Sequence, residues 1–365
     1  MLKVIPLHKL IYAGSSCSSV VLINDKSELR LVPSLYLAEL SLAGKSINTV
    51  SNYGYRLNTF FVVLDYSTII WKEVSQQHID TYINIYLNQQ LQLTEKSING
   101  HIAAISGFFD YAWKFGFIKK PMGFRFSITD NEEGRNVEDS ITTVASNLIE
   151  KYISDKKYIK LIQAVESKSD YIQERNELVL HIGYHIGLRA AEVVDPRNLL
   201  ISKLINTDNG IANTIEIWGK SKNSRRVTIP FPLKEKIKLF ITGRRKNITG
   251  DLLICSEYRD SLNRSFASKL FTKTVSNSGD EYFDQRSYHS LRHTFATNLV
   301  VSCYERGHDP WTVVPEQMGH EDVNTTFKYI YFEAVHNKRH SLLKKLAVKA
   351  SHISRKSRFA QKEKT

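Results

Sequence analysis

The sequence predicts a mainly α fold with a small β-sheet, an α+β chain of two helix-rich domains joined by a polar connector. Three observations predict it. Apolar residues recur every three or four positions through most of the chain, one short stretch alternates in period two around a basic turn, and one acidic segment has almost nothing to bury. The 365 residues suit two domains at roughly 150 residues each. With 42% hydrophobic and 24% charged residues, neither a disordered chain nor a membrane protein fits the composition.

The elements follow in order. A short helix is expected near Pro33 to Ala43. From Ser46, a plausible cap, the positions Ile47, Val50, Tyr53, Leu57, Phe60, Phe61 and Leu64 trace one buried helical face. Ser75 to Leu87 should bury Ile79, Tyr82, Ile83 and Tyr86. Thr94 to Phe115 should bury Ile98, Ile102, Ile105, Phe108, Phe109 and Ala112, with Gly116 ending it in a left-handed cap. This four-helix domain closes near Pro121, and the stretch SITDNEEGRNVEDS (127–140) reads as an exposed connector.

The second domain opens with helices around Asn147 to Ile153, Lys157 to Ser167 and Asn176 to Gly187. A short β-meander follows, in which Ile215 to Trp218 and Arg226 to Ile229 flank a basic hairpin tip. Helices then fit Leu233 to Thr242, Ser261 to Val275, Ser290 to Ser302, Pro310 to Met318 and Thr325 to Val335. The expected division is an N-terminal extension (1–30), a helical domain (31–121), a linker (122–145), a second domain (146–340) and a basic tail (341–365).

Charge points to a partner. Lys and Arg number 50 against 37 Asp and Glu, a net +13, which favours a polyanion and nucleic acid first. Ten of these cations lie between Asn337 and Thr365, with Glu363 the only acid there. Such a tail is either a solvated extension or a DNA or partner contact, and Ser351 to Thr365 is expected to be disordered. Cys17, Cys255 and Cys303 lack CxxC or CxxH spacing, so neither a disulfide framework nor a structural zinc is encoded. A reducing cytoplasm is the expected compartment, and no signal peptide or membrane span is read.

Four local patterns in the second domain carry chemistry: Gly187-Leu188-Arg189-Ala190-Ala191-Glu192, Gly219-Lys220-Ser221-Lys222, His289-Ser290-Leu291-Arg292-His293, and Gly319-His320 followed nine residues later by Tyr329. Together they resemble the tyrosine recombinase (phage integrase) family, over about 190 residues. The helical region before them resembles that family's SAM-like core-binding domain. On this resemblance Arg189 and Arg292 are the catalytic arginines, Glu192 supports the first, and Lys220 is the hairpin lysine with Lys222 in reserve. His289 completes the His-x-x-Arg pair, His320 takes the later His or Trp position, and Tyr329 is the nucleophile. Met318 stands where leucine is usual.

The residue chemistry agrees. Attack on a phosphodiester builds negative charge on the non-bridging oxygens, and two arginine forks can hold them at any physiological pH. His289 and Arg292, three apart on a helix, share a face. His289 suits acceptance of the tyrosine proton, and His320 suits a hydrogen bond to a phosphate oxygen. Tyrosine, with a free pKa of about 10, needs such neighbours. Lys220 on a flexible tip can protonate the leaving 5′ oxygen, while Lys222, Arg225 and Arg226 are expected on DNA. A covalent phosphotyrosine keeps the bond energy, so no metal, ATP or other cofactor is expected, and no GxxxxGK[ST] loop is present. Tyr331, about 200° further round the helix, is expected to pack.

Taken singly, each element has a duller reading: a helix-terminal cation, a solvated turn, a surface His-x-x-Arg, a core tyrosine. Their joint order and spacing argue for the site. The resemblance implies a site-specific recombinase forming a C around double-stranded recombination sites, working as a tetramer through a Holliday junction, nucleoid-associated, with accessory DNA-bending proteins as further partners. Leu342, Leu343, Leu346 and Val348 would then form a helix docking on a neighbouring protomer. A type IB topoisomerase-like relaxing enzyme is the alternative, and a binding-only protein the third.

Overall fold

The computed structural model describes residues 3–128, 148, 150–206, 210–219, 223–320 and 323–336. It divides into two units, Met1–Gly134 and Arg135–Thr365. The first begins with an antiparallel hairpin of β1 (Lys3–Tyr12) and β2 (Ser15–Ile23), paired from Lys3↔Ile23 to Tyr12↔Ser15 with a shift of register between Leu7 and Leu10. Its two turn residues, Ala13 and Gly14, have φ of 48° and 74°, the paired left-handed conformation that matches strand twist. The expected N-terminal extension is thereby corrected, because β2 delivers Val20 and Leu22 to the core of the unit. Gly54 lets that strand approach: a Cβ there would lie 2.8 Å from Val20 Cγ2.

Four helical segments complete the unit: α1 (Leu31–Leu42), α2 (Ile47–Tyr66), α3 (Gln76–Asp80, continued as a π-helix over Thr81–Gln90) and α4 (Glu95–Lys114). Ser46, Ser75 and Thr94 cap three of them by accepting a backbone N–H with their side chains. Leu57, Phe60, Phe61, Ile83, Phe108 and Phe109 are fully buried together, while Tyr53, Tyr86 and Ile102 are half-buried and Ile47 stays exposed. The chain does not leave this core at Pro121. Met122, Phe124, Phe126 and Ile128 pack against it, and Gln76 exchanges hydrogen bonds with the Arg125 backbone at 2.7 and 2.9 Å. The rest of the expected linker lies outside the described residues.

In the second unit α5 (Asp155–Gln163) and α6 (Asp170–Ile186) precede two four-residue helices, α7 (Ala190–Val193) and α8 (Ile201–Leu204). The expected meander is, among the described residues, a single hairpin of β3 (Thr214–Trp218) and β4 (Ser224–Thr228), paired through Ile215↔Val227 and Ile217↔Arg225. Next come α9 (Phe231–Thr242) and α10 (Phe266–Ser278). The latter starts five residues after Ser261 because Asn263 Oδ1 accepts from both the N–H and the hydroxyl of Ser265, a local turn that competes with helix. Three helices close the unit: α11 (Tyr288–Glu305), α12 (Pro310–Met318) and α13 (Val323–His336).

Helix α11 is the wall that places the site. Leu291 on one side joins the large core with Val179, Ile182, Ile217, Val227 and Phe271. Ala296 and Val300 on the other side join Val314, Met318 and Ile330 from α12 and α13. Gly187 ends α6 with φ 63°, and a Cβ there would lie 2.4 Å from the Phe295 ring of α11. Glycine therefore lets the chain turn back and bring Arg189 beside α11. The suggested docking residues 342–348 and the tail to Thr365 lie outside the described residues.

Candidate active site

Glu192 organises the cationic half of the site. Its carboxylate, 4% exposed, accepts four hydrogen bonds: from the Arg189 backbone N–H (2.8 Å), Arg189 Nη1 (2.7 Å), Arg225 Nη1 (2.9 Å) and Arg225 Nη2 (2.8 Å). Burial alone would push its pKa up. The Arg225 fork and then Arg189 overturn that and hold it at about 2. Arg292 Nη1 lies 4.0 Å from the same carboxylate and donates to the Gly187 carbonyl at 2.6 Å, while Nη2 donates to the Met318 carbonyl. Burial, then the Arg189 charge, lower the pKa of Arg292 to about 9, so it stays charged at neutral pH.

Three guanidinium groups share one carboxylate, which leaves this group of four side chains with an excess positive charge. Arg189 is its open face, 39% exposed, and uses one further donor on the Gly319 carbonyl. A fork has five N–H groups, so Arg189 and Arg292 each keep donors for an incoming anion. A phosphate diester would gain both charge and directed hydrogen bonds there.

The tyrosine half comes from α11 and α13. Tyr329, 3% exposed, is stacked on His320 with ring centroids 5.8 Å apart and planes 8° off parallel. His320 Nδ1 is fixed by the Thr326 hydroxyl at 3.0 Å. The Tyr329 hydroxyl pairs with His293 Nδ1 at 2.7 Å, and His293 meets His289 edge to face at 4.5 Å. Burial pushes the phenol up to about 12, against the pull of the Arg292 and Arg189 charges. Burial and neighbouring charge lower His293 and His320 to about 3. His289 is exposed; partial desolvation, then Arg292 and Arg189, bring it to about 4, and with its ring open to water the cations carry more weight. The three imidazoles are neutral at pH 7, the form that can accept a proton.

The structure thus brings Arg189, Glu192, Arg292, His289, His320 and Tyr329 into one site, the two halves joined where Arg189 and Arg292 bond the Gly319 and Met318 carbonyls just before His320. Two expectations are corrected. The imidazole touching the phenol is His293 rather than His289, because α13 packs so that Tyr329 meets α11 one turn beyond His289. Arg225, expected on DNA, has its side chain only 9% exposed and spends its fork on Glu192 and its Nε on the Gln317 carbonyl at 3.0 Å. Arg226, the next residue on β4, is exposed. Lys220 and Lys222 lie outside the described residues. Tyr331 packs on Phe327, with ring centroids 6.0 Å apart. His293 was legible only as the i+4 neighbour of His289.

No helix among the described residues is long and apolar enough to cross a membrane. The model of the phage integrase family matches residues 151–338, and that of the phage integrase N-terminal SAM-like domain matches residues 34–116. A tyrosine recombinase of Pseudothermotoga lettingae is 26% identical over 288 residues, 78% of this chain and 88% of that protein. The tyrosine recombinase XerA of Pyrococcus furiosus is 27% identical over 303 residues, 82% of this chain and 88% of the relative. Among solved structures, the XerH site-specific recombinase bound to a palindromic difH substrate superposes with a TM-score of 0.58 at 21% identity, covering 85% of this chain and 84% of that one. A lambda integrase tetramer bound to a Holliday junction gives a TM-score of 0.56 at 17% identity, covering 80% and 74%. These two likenesses concern the fold.

Proposed function

This chain belongs to the phage integrase family and is a site-specific tyrosine recombinase that cleaves and rejoins DNA, and on that premise we propose that Tyr329 is its nucleophile. The phenol oxygen attacks the scissile phosphorus, the bond from phosphorus to the 5′ oxygen breaks, and a 3′-phosphotyrosine forms. The phenol proton passes to a neutral imidazole of the His289 and His293 pair. The leaving 5′ oxygen takes a proton from Lys220, or from Lys222 if that lysine holds the place. Arg189 and Arg292 bind the non-bridging oxygens, and His320 donates to one of them. The 5′-hydroxyl of another strand then reverses the step, with neither metal nor ATP.

What supports this reading is that one phenol, two arginines and three imidazoles from stretches up to 140 residues apart in sequence gather close enough for ring contacts, a hydrogen bond and the arginine charges to act on the phenol. The entering phosphate neutralises part of the excess charge, and its own charge raises the proton affinity of the imidazoles beside it. The resting phenol, held by His293, thus gives up its proton more readily when DNA arrives. The first unit, whose core takes in the β1–β2 hairpin and the chain as far as Ile128, serves as the DNA-clamping domain and the second unit as the catalytic domain, with Arg226 and Lys222 on phosphates. The partner is double-stranded DNA with recombination sites, bound by four copies of the chain, the arrangement in which lambda integrase was solved on its junction.

The test is direct. Tyr329→Phe protein incubated with labelled site DNA should bind it with affinity close to the unaltered chain and form no covalent adduct. An adduct that persists in Tyr329→Phe would remove this residue from the mechanism.

A further inference from the structure

Arg225 is the residue that the reading above does not use, and its surroundings are unusual for a cation on a hairpin that approaches DNA. Its side chain is nearly as buried as the Glu192 it grips. The bidentate fork fixes both the distance and the plane of the pair. Its Nε holds the carbonyl of Gln317, two residues before Gly319, and a Cβ on Gly319 would lie 2.9 Å from Arg225 Cδ. The chain before His320 therefore closes directly over this side chain, and glycine with φ 63° makes room for it.

Further bonds tie the hairpin along its length, at Thr228 on its open end and at Trp218 and Gly219 near its tip. Gln317 Oε1 accepts from the Thr228 N–H at 3.0 Å. Asn198 receives the Trp218 N–H at 2.8 Å and donates to the Trp218 carbonyl at 3.1 Å. Gly219 N–H closes the ladder on the Asn223 carbonyl at 3.0 Å. Arg225 lies opposite Ile217, one step below the last pair, Trp218 and Ser224. The position a Cβ would take on Gly219 is 3.7 Å from Glu192 Oε1 and 3.9 Å from Arg225 Nη1. Lys220 is the next residue. Gly219, the last described residue before it, therefore sits at a point set by the Arg225 and Glu192 pair, beside the cation that would hold the phosphate.

We propose that Arg225 is a positioning residue: its fork on Glu192 registers the β3–β4 hairpin against the phosphate-binding arginine, so that the hairpin lysine is aimed at the leaving 5′ oxygen. This rests on the reading that a lysine of this hairpin is the general acid. Arg225 touches neither DNA nor the reacting atoms. Its loss should act on leaving-group protonation more than on attack, because Arg189 keeps its own two bonds to Glu192.

The test compares two substrates on one protein. Arg225→Met should form the covalent adduct with ordinary site DNA roughly 10²-fold more slowly, the lower range for loss of general acid catalysis. With a 5′-bridging phosphorothiolate, whose leaving group needs no proton, the same variant should fall within about threefold of the unaltered chain. The ratio of the two rates is independent of the folded fraction, so partial misfolding does not obscure it. Arg225→Lys, which keeps the charge and loses the fork, gives a second ratio if the Met variant fails to fold. Equal loss on both substrates would overturn the proposal, as would a loss that lies wholly in DNA affinity. The general-acid reading is scored separately by Lys220→Ala and Lys222→Ala. If the sulfur substrate rescues neither, that reading fails, whereas rescue of one lysine variant but not of Arg225→Met sinks only the positioning role.

Discussion

Replacing Glu192 with Gln removes one charge and almost no volume, and its cost can be worked from the site. The carboxylate receives four donors, two on each oxygen. An amide has a single oxygen, so at least two donors from Arg189 or Arg225 would face an NH2 group instead. Arg225 and Arg292, with side chains 9% and 2% exposed, would lose their nearest counter-charge. Removing one partner of a buried pair costs about 3–5 kcal/mol. The drop in the Glu192 pKa from 4.5 to about 2 corresponds to about 3 kcal/mol by the relation between pKa and free energy. Both routes place the destabilisation of the second unit near 3–4 kcal/mol at pH 7.

Urea unfolding measures this, followed by Trp218 and Trp311 in a background with Trp71 and Trp113 replaced by Phe. The pH dependence carries the sign. A carboxylate with a depressed folded pKa contributes stability that is present above about pH 4.5 and lost as pH falls toward 2. The gap between the unaltered chain and Glu192→Gln should therefore be flat from pH 7 to 5, then shrink by about 1.4 kcal/mol per unit. A gap below about 1 kcal/mol at pH 7, or one that ignores pH between 4.5 and 3, would refute the idea that this carboxylate neutralises the arginine cluster.

Two further outcomes are expected. Arg226→Ala should weaken DNA binding almost uniformly across sequences and lower the salt slope by about 1, with the urea midpoint unmoved; an unchanged slope would take Arg226 off the phosphates. His293, His320 and buried His181 all have pKa values lowered to about 3, by burial first. The unfolded chain therefore binds protons that the fold does not, and stability present above about pH 6.5 falls by about 1.4 kcal/mol per unit for each histidine as the medium is acidified. Equal stability at pH 7.5 and 5.5 would show that these rings are protonated in the folded chain.

Much of the fold was legible because helices announce themselves locally. Ser46, Ser75 and Thr94 stand at the caps, and the apolar period marks Leu57, Phe60, Phe61, Phe108 and Phe109 as core. The β1–β2 hairpin was not legible, since its Ala-Gly turn lacks the usual Asn-Gly or Asp-Gly signal and Val20 and Leu22 find their cover only on α1 and α2. Nor did composition reveal that Phe124 and Phe126 return to the first core, because alternation over so few residues also suits an exposed connector.

The site divides along the same line. Sequence by itself determined which residue types are available and in what order: the Arg189 and Glu192 motif, the His289 and Arg292 pair, the glycine before His320, and Tyr329. Tertiary structure alone decided which of two adjacent arginines on β4 is buried and which of two histidines on α11 meets the phenol. The reason is range. A helix or strand is specified by neighbours a few positions away, whereas the partners of Arg225 and His293 lie 33 and 36 residues off. Their choice follows from how β4 and α13 pack, a property of the assembled core.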